Sequence, residues 1–325
     1  MKIHECVACA LALTALTFGV AVPAAEQTYP RGTVKLLVGV PTGGPWDYVG
    51  RVVAQQLQEL WGQTVLVVNK PGAGGMIAAD EVAKSAPDGH TIGVETTTHV
   101  INPTLYASTI PYDTAKDFAY VTQLVSQHLV LVANPAEPFN TVKEMIAYAK
   151  SRPGKLTYAS PATGTASHLA GEMLKLEAGI DIVHVPYKGS SPAQIDLIAG
   201  RVDMMFDLYQ TVKPQVEQGK LKIIGVTSDT RAANMKDYPL IADTIPGFVV
   251  TSFFGLAVRA GTPRAIVIKI QEETARALNK PDVRARLDGM GMRVVGSTPA
   301  QFETFIRTEQ IKWAKVIKAG NIKAD

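Results

Sequence analysis

Residues 39–51 read GVPTGGPWDYVGR, and the reading of this stretch decides the fold. Ahead of it, Val34 to Val40 is an apolar run of strand length; behind it, Val49, Val52, Val53, Leu57 and Leu60 recur at helical spacing. Pro45 sits near the first helical position, where its missing N–H costs nothing, and Gly62 marks the stop. A further strand at Thr64 to Val68 completes a βαβ unit. The Thr42-Gly43-Gly44 turn between strand and helix is the kind of backbone that lets something small come close.

The same alternation continues along the chain. Strands are expected at Leu129 to Ala133, Leu156 to Ala159, Ile182 to Val185, Val202 to Phe206, Ile223 to Thr227 and Phe253 to Val258. Helices are expected near 140–151, 166–178, 191–199, 264–279 and 299–318. Alternation of this kind predicts an α/β fold. At 325 residues the chain is long enough for one large or two medium domains. No single Pro/Gly/Ser linker divides it, so the prediction is two lobes joined by short crossings at Val121 to Val132 and Val249 to Val258. One lobe is then discontinuous, 26–125 with 246–325, and the other is 126–245.

Composition narrows the function. The net charge is +3, with only 19% of residues charged and no basic run, which excludes a nucleic-acid footprint. Residues 1–25 carry Lys2, an apolar stretch from Val7 to Val22 and the exit Val22-Pro23-Ala24-Ala25, the pattern of a signal peptide cut after Ala24 or Ala25. Both cysteines, Cys6 and Cys9, lie in that segment, so the exported chain is expected to be free of disulfides and periplasmic.

Two strand–loop–helix units share one plan. The first is the stretch quoted above; in the second, Leu156 to Ala159 runs into Ser160-Pro161-Ala162-Thr163-Gly164-Thr165 and a helix stopped by Gly179. A helix start offers unpaired N–H groups and a partial positive charge, which suits a carboxylate or phosphate; ordinary turns capped by Thr and relieved by Gly explain the same residues. Asp47 either takes the free amides of its own helix or meets a ligand, and Trp46 either packs or stacks on one. A third loop, His184 to Pro192, brings Tyr187 and Lys188 near a helix read as capped by Ser191, and Asp207 ends a strand.

Other chemistries find little support. His168 and Glu172 share a helix face but lack a third ligand, so no metal or cofactor is expected. A Gly-x-Ser-x-Gly elbow is absent, and Ser167 beside His168 points to a different helix face, so the chain does not read as a hydrolase or other enzyme. Gly72-Ala73-Gly74-Gly75-Met76-Ile77 places Ile77 where a dinucleotide fingerprint needs a small residue, and reads instead as a tight turn.

Taken as an ordered set, PTGGPWD at 41–47, NKPGAGGMIAADEVAKSAPDGHT at 69–91, INPTLY at 101–106, PYDTAKDF at 111–118, SPATGTASHLAGE at 160–172, HVPYKGSSPAQIDLIAGRVDMMFD at 184–207 and AGTP at 260–263 resemble the Bug family. These are extracytoplasmic solute receptors of tripartite tricarboxylate transporters. The resemblance implies a type II periplasmic-binding-protein fold whose two α/β lobes close on a small organic carboxylate and present it, as a monomer, to a membrane permease; a sensor protein is the alternative partner. It implies a pincer in which Thr42, Gly43, Gly44, Thr163, Gly164 and Thr165 grip the carboxylate, with Trp46, Asp47, Thr98 on a crossing segment, Ser160, His168, Tyr187 and Asp207 also at the ligand. The chain departs from the family pattern at Pro239-Leu240-Ile241-Ala242-Asp243, at Phe253 and Phe254, and at Arg259.

Overall fold

The first βαβ unit forms as its residues dictate: β1 (Val34–Val38), α1 (Pro45–Trp61) and β2 (Val65–Asn69), with β2 parallel to β1. Pro45 occupies the first turn of α1, and Gly62 closes it in the left-handed conformation at φ 61°. The computed structural model describes residues 29–230 and 235–323; the expected signal peptide lies outside the described residues.

After a short 3-10 turn at Ala73–Gly75 come α2 (Met76–Ala83), β3 (Thr91–Thr96), α3 (Thr97–Leu105) and the long β4 (Phe118–Ala133). The chain continues through α4 (Val142–Ser151), β5 (Thr157–Ser160), α5 (Ala166–Ala178), β6 (Val183–Pro186), α6 (Ser190–Ile198), β7 (Met204–Leu208), α7 (Tyr209–Glu217) and β8 (Lys222–Val226). It returns through β9 (Thr251–Arg259), α8 (Arg264–Leu278), α9 (Pro281–Gly289), β10 (Arg293–Val294) and α10 (Pro299–Ala319).

Two sheets share one strand. The first runs β2-β1-β3-β9-β4, with β10 on β4. In the second, β5 lies parallel to β6 and β7, and β7 and β8 are both antiparallel to β4. Residues 118–128 of β4 pair with β9, 129–133 pair with β7, and 130–133 pair with β8. At the junction the Thr227 hydroxyl accepts from Leu129 N–H at 2.9 Å and donates to Val250 O at 2.7 Å. That hydroxyl ties the passing strand to the chain that returns to the first sheet. The fold is a type II periplasmic-binding-protein fold of two α/β lobes.

The cores follow the layers. Val49, Val53 and Leu57 of α1 pack with Val267 and Ile270 of α8 over the first sheet, and Ala193, Leu197 and Val212 pack under the second. A third core runs through both halves along α10, whose Trp313 and Ile317 join Leu169 and Met173 of α5 and Ile101 of α3 in one cluster. No helix among the described residues is long and apolar enough to cross a membrane.

Several elements depart from the sequence reading. β3, β10, α2, α3, α7 and α9 were not expected, and Thr98, expected on a crossing segment, lies in the first turn of α3. Helix α6 begins at Ser190 with Gly189 before it at φ 116°, so Ser191 is a helical residue and not the cap.

Candidate functional site

A cleft of about 590 Å³ opens between the lobes. Its wall is built from the starts of four helices: Thr42, Gly44 and Trp46 at α1; Thr165, Ala166 and Ser167 at α5; Ser190 and Ser191 at α6; Leu208 and Thr211 at α7. Leu129 of β4 and Ser252 of β9 close it on the shared-strand side. The strand–loop–helix order puts them there, since each loop leaves the carboxyl end of a parallel strand and ligand clefts form beyond those ends.

At α1 the first helical bond runs from Tyr48 N–H to Gly44 O at 3.0 Å, and at α5 from Leu169 N–H to Thr165 O at 3.0 Å. The amides of Trp46, Ala166 and Ser167 come before those bonds, where a helix has no partner to offer within itself. The Thr165 hydroxyl accepts from His168 N–H at 3.3 Å and donates to Ala162 O at 2.8 Å. Four positive helix ends around one cavity favour an anion, and neither Lys nor Arg is among the described residues of the wall.

Asp47 does not line this cleft. It is 3% exposed, and its two oxygens accept from Gly43 N–H at 2.9 Å, Arg51 Nε at 2.9 Å and Asn69 Nδ2 at 2.9 Å. The Arg51 guanidinium, with the Gly43 amide and the Asn69 side chain, holds its carboxyl down to about 2 against the opposing effect of burial. Its work is to pin the loop. Gly43 stands behind the wall as well, at φ 92°, with its amide turned to Asp47.

The second loop rests on a ring stack of buried Tyr158, half-buried His184 and buried His168. Tyr158 lies 4.9 Å from His184, which lies 3.9 Å from His168. His168 Nδ1 accepts from Gly164 N–H at 3.1 Å, so the neutral ring carries its proton on Nε2. Ser160 Oγ is 2.7 Å from His184 Nε2 and donates to Ala162 O at 3.1 Å. Ser160 is 0% exposed, and neither it nor His184 is among the described residues of the cleft wall. Ser160 and His168, expected at the ligand, line neither this cleft nor the cavity beside it and shape the loop from behind. Tyr187 is likewise committed, its hydroxyl donating to Asp196 at 2.8 Å, and burial with that bond pushes its pKa up to about 12.

Thr98, Thr163 and Gly164 face an adjoining cavity of about 280 Å³, with Thr165 on both walls and Gly74, Asn102, Tyr106 and Ala162 completing it. Asp207 reaches the main cleft but is 2% exposed. It accepts from Leu208 N–H at 2.8 Å, Gln194 Nε2 at 3.0 Å and Ser190 Oγ at 3.1 Å. Burial raises its pKa, and those donors offset part of the rise. Trp46 meets Phe254 edge-on at 5.8 Å while presenting itself to the cleft, so packing and contact with the cavity coexist. Ser167, Ser190, Ser191, Leu208, Thr211 and Ser252 were missed as wall residues; a helix start at 209, had Tyr209–Glu217 been read as helical, would have flagged Leu208 and Thr211.

With this geometry, comparison with known proteins is specific. Residues 49–322 match the model of the tripartite tricarboxylate transporter family receptor. The chain is 33% identical to the protein BugT of Bordetella pertussis over 94% of its own length and 95% of that protein's. Among solved structures, an R. palustris protein with adipate superposes with TM-score 0.81 at 33% identity, covering 91% of this chain and 99% of that one. MatC from Rhodopseudomonas palustris with bound malate gives 0.77 at 32%, covering 89% and 100%. Helix starts converging on an interlobe cleft, in a chain that matches these receptors over nearly its whole length, place it in their family: the chain belongs to the tripartite tricarboxylate transporter family receptors.

Proposed function

We propose that this receptor, exported by its signal peptide to the periplasm, holds one small organic carboxylate between its lobes and delivers it to the membrane permease of a tripartite tricarboxylate transporter. The observation that carries the reading is the meeting of the α1 and α5 starts, one from each lobe, across one cleft. Backbone amides at both ends favour a carboxylate without any cation, and gripping from two lobes makes binding stronger in the closed form than in the open one. The adipate and malate held by two relatives support the same ligand chemistry. The lobes are assigned to 26–125 with 246–325 and to 126–245, a division supported by which strands join which sheet. At the ligand we place Thr42, Gly44, Trp46 and Thr165 in the main cleft, with Thr98, Thr163 and Gly164 beside it.

The test is a thermal-shift series on the exported chain with citrate, malate, adipate, hexanoate and inorganic phosphate. At least one carboxylate should raise the melting temperature in step with its concentration, while phosphate leaves it unchanged. A set in which no carboxylate moves the transition removes the proposal.

A further inference from the structure

Resting on the carboxylate reading, we propose that the cleft selects a monocarboxylate with an apolar body over di- and tricarboxylates. Beyond the amides of α1 and α5, the surface a ligand would meet is predominantly apolar, supplied by Val40, Pro45, Trp46, Leu129, Pro161 and Leu208. Burying an aliphatic or aromatic body there is favourable, whereas burying a second carboxylate without partners is costly.

Among the described residues, no cation lines the walls to meet a second charge: Lys and Arg are absent from both the main cleft and the adjoining cavity. The cations nearest in sequence are committed or turned away: Arg51 is held by Asp47 and Asn69, Lys213 pairs with Glu217, and Lys188 is exposed and off the wall. The remaining pair of helix starts, α6 and α7, already has an acidic occupant. Asp207 takes the Leu208 amide and the Ser190 hydroxyl with one oxygen and Gln194 with the other. A second ligand carboxylate arriving there would find the Leu208 amide and the Ser190 hydroxyl already taken and would stand beside a like group, which disfavours it relative to an apolar end. The same three bonds leave Asp207 little capacity to act as counter-ion to a ligand ammonium.

Three six-carbon probes isolate the far end of the ligand: hexanoate ends in methyl, adipate in a second carboxylate, and 6-aminohexanoate in ammonium. Calorimetric titration of the exported chain at pH 7 should find hexanoate at least tenfold tighter than either of the others. Adipate equal to or tighter than hexanoate overturns the proposal and leaves the carboxylate receptor intact. A preference for 6-aminohexanoate overturns it by making Asp207 a counter-ion. Any other order, a smaller margin or silence from all three overturns it too; the receptor reading falls with it only if citrate and malate also fail to bind.

Discussion

Asp47→Ala tests how the α1 loop is held. The substitution removes the acceptor of three hydrogen bonds that join the Gly43 tip to α1 and β2. Its carboxyl is lowered from 3.8 to about 2, which by proton linkage sets a ceiling of about 2.4 kcal/mol. The Arg51 side chain is 51% exposed, so solvent screening reduces the realistic loss to about 1 kcal/mol. The sign is fixed by the direction: a carboxyl whose pKa is lower folded than unfolded adds stability that is complete above 3.8 and fades as pH falls through about 2. Urea unfolding of wild type and variant should therefore show a deficit of about 1 kcal/mol at pH 7, shrinking to roughly half at pH 3. Carboxylate affinity should fall about three- to tenfold, because the loop must then be ordered on binding. Equal stability at pH 7, or a deficit as large at pH 3 as at pH 7, would refute this account of Asp47.

Two further substitutions separate the wall from its support. In Gly44→Val the new Cβ meets nothing within 4 Å and the backbone φ is −82°, so the fold should survive with a melting temperature within about 2 °C of wild type. Its side chain enters the cleft, and carboxylate titration should find at least a hundredfold loss; retained affinity would exclude this loop from the grip. Gly171→Ala acts behind the wall: helix propensity favours alanine by up to about 1 kcal/mol, but its Cβ would lie 2.1 Å from Tyr158 Cε2. Overpacking should win by about 2 kcal/mol in chemical denaturation, and a stabilised variant would show that the ring stack yields easily.

Much of the frame was legible because local chemistry and tertiary role agree in it. Pro45 and Gly62 mark α1, and Gly179 ends α5 in the left-handed conformation at φ 58°. β4 was harder: buried along nearly its whole length, it gives no clean alternation, so only its end at 129–133 read as strand, with 121–132 as an apolar crossing. Helix α3 hides behind Thr96-Thr97-Thr98, which favours strands, and behind Pro103 within it; α7 hides behind Pro214. At the cleft, the two Gly/Thr loops could be found by their resemblance to each other. Which side chains face the cavity could not, because Asp47, Ser160, His168 and Tyr187 are claimed by partners distant in sequence or by their own loops. Only the folded chain reveals those claims.

The sharing of β4 bears on how such receptors diversify. Because one strand is a structural member of both sheets and α10 packs into a core common to both, no single point in the sequence separates two self-sufficient modules. Recombination between relatives at the mid-chain would splice a spine from one parent onto sheets from another, with its pairing register inherited from neither. New preferences are more readily acquired by point changes at the four helix starts, where a residue such as Thr211 or Trp46 can be exchanged without touching either ladder.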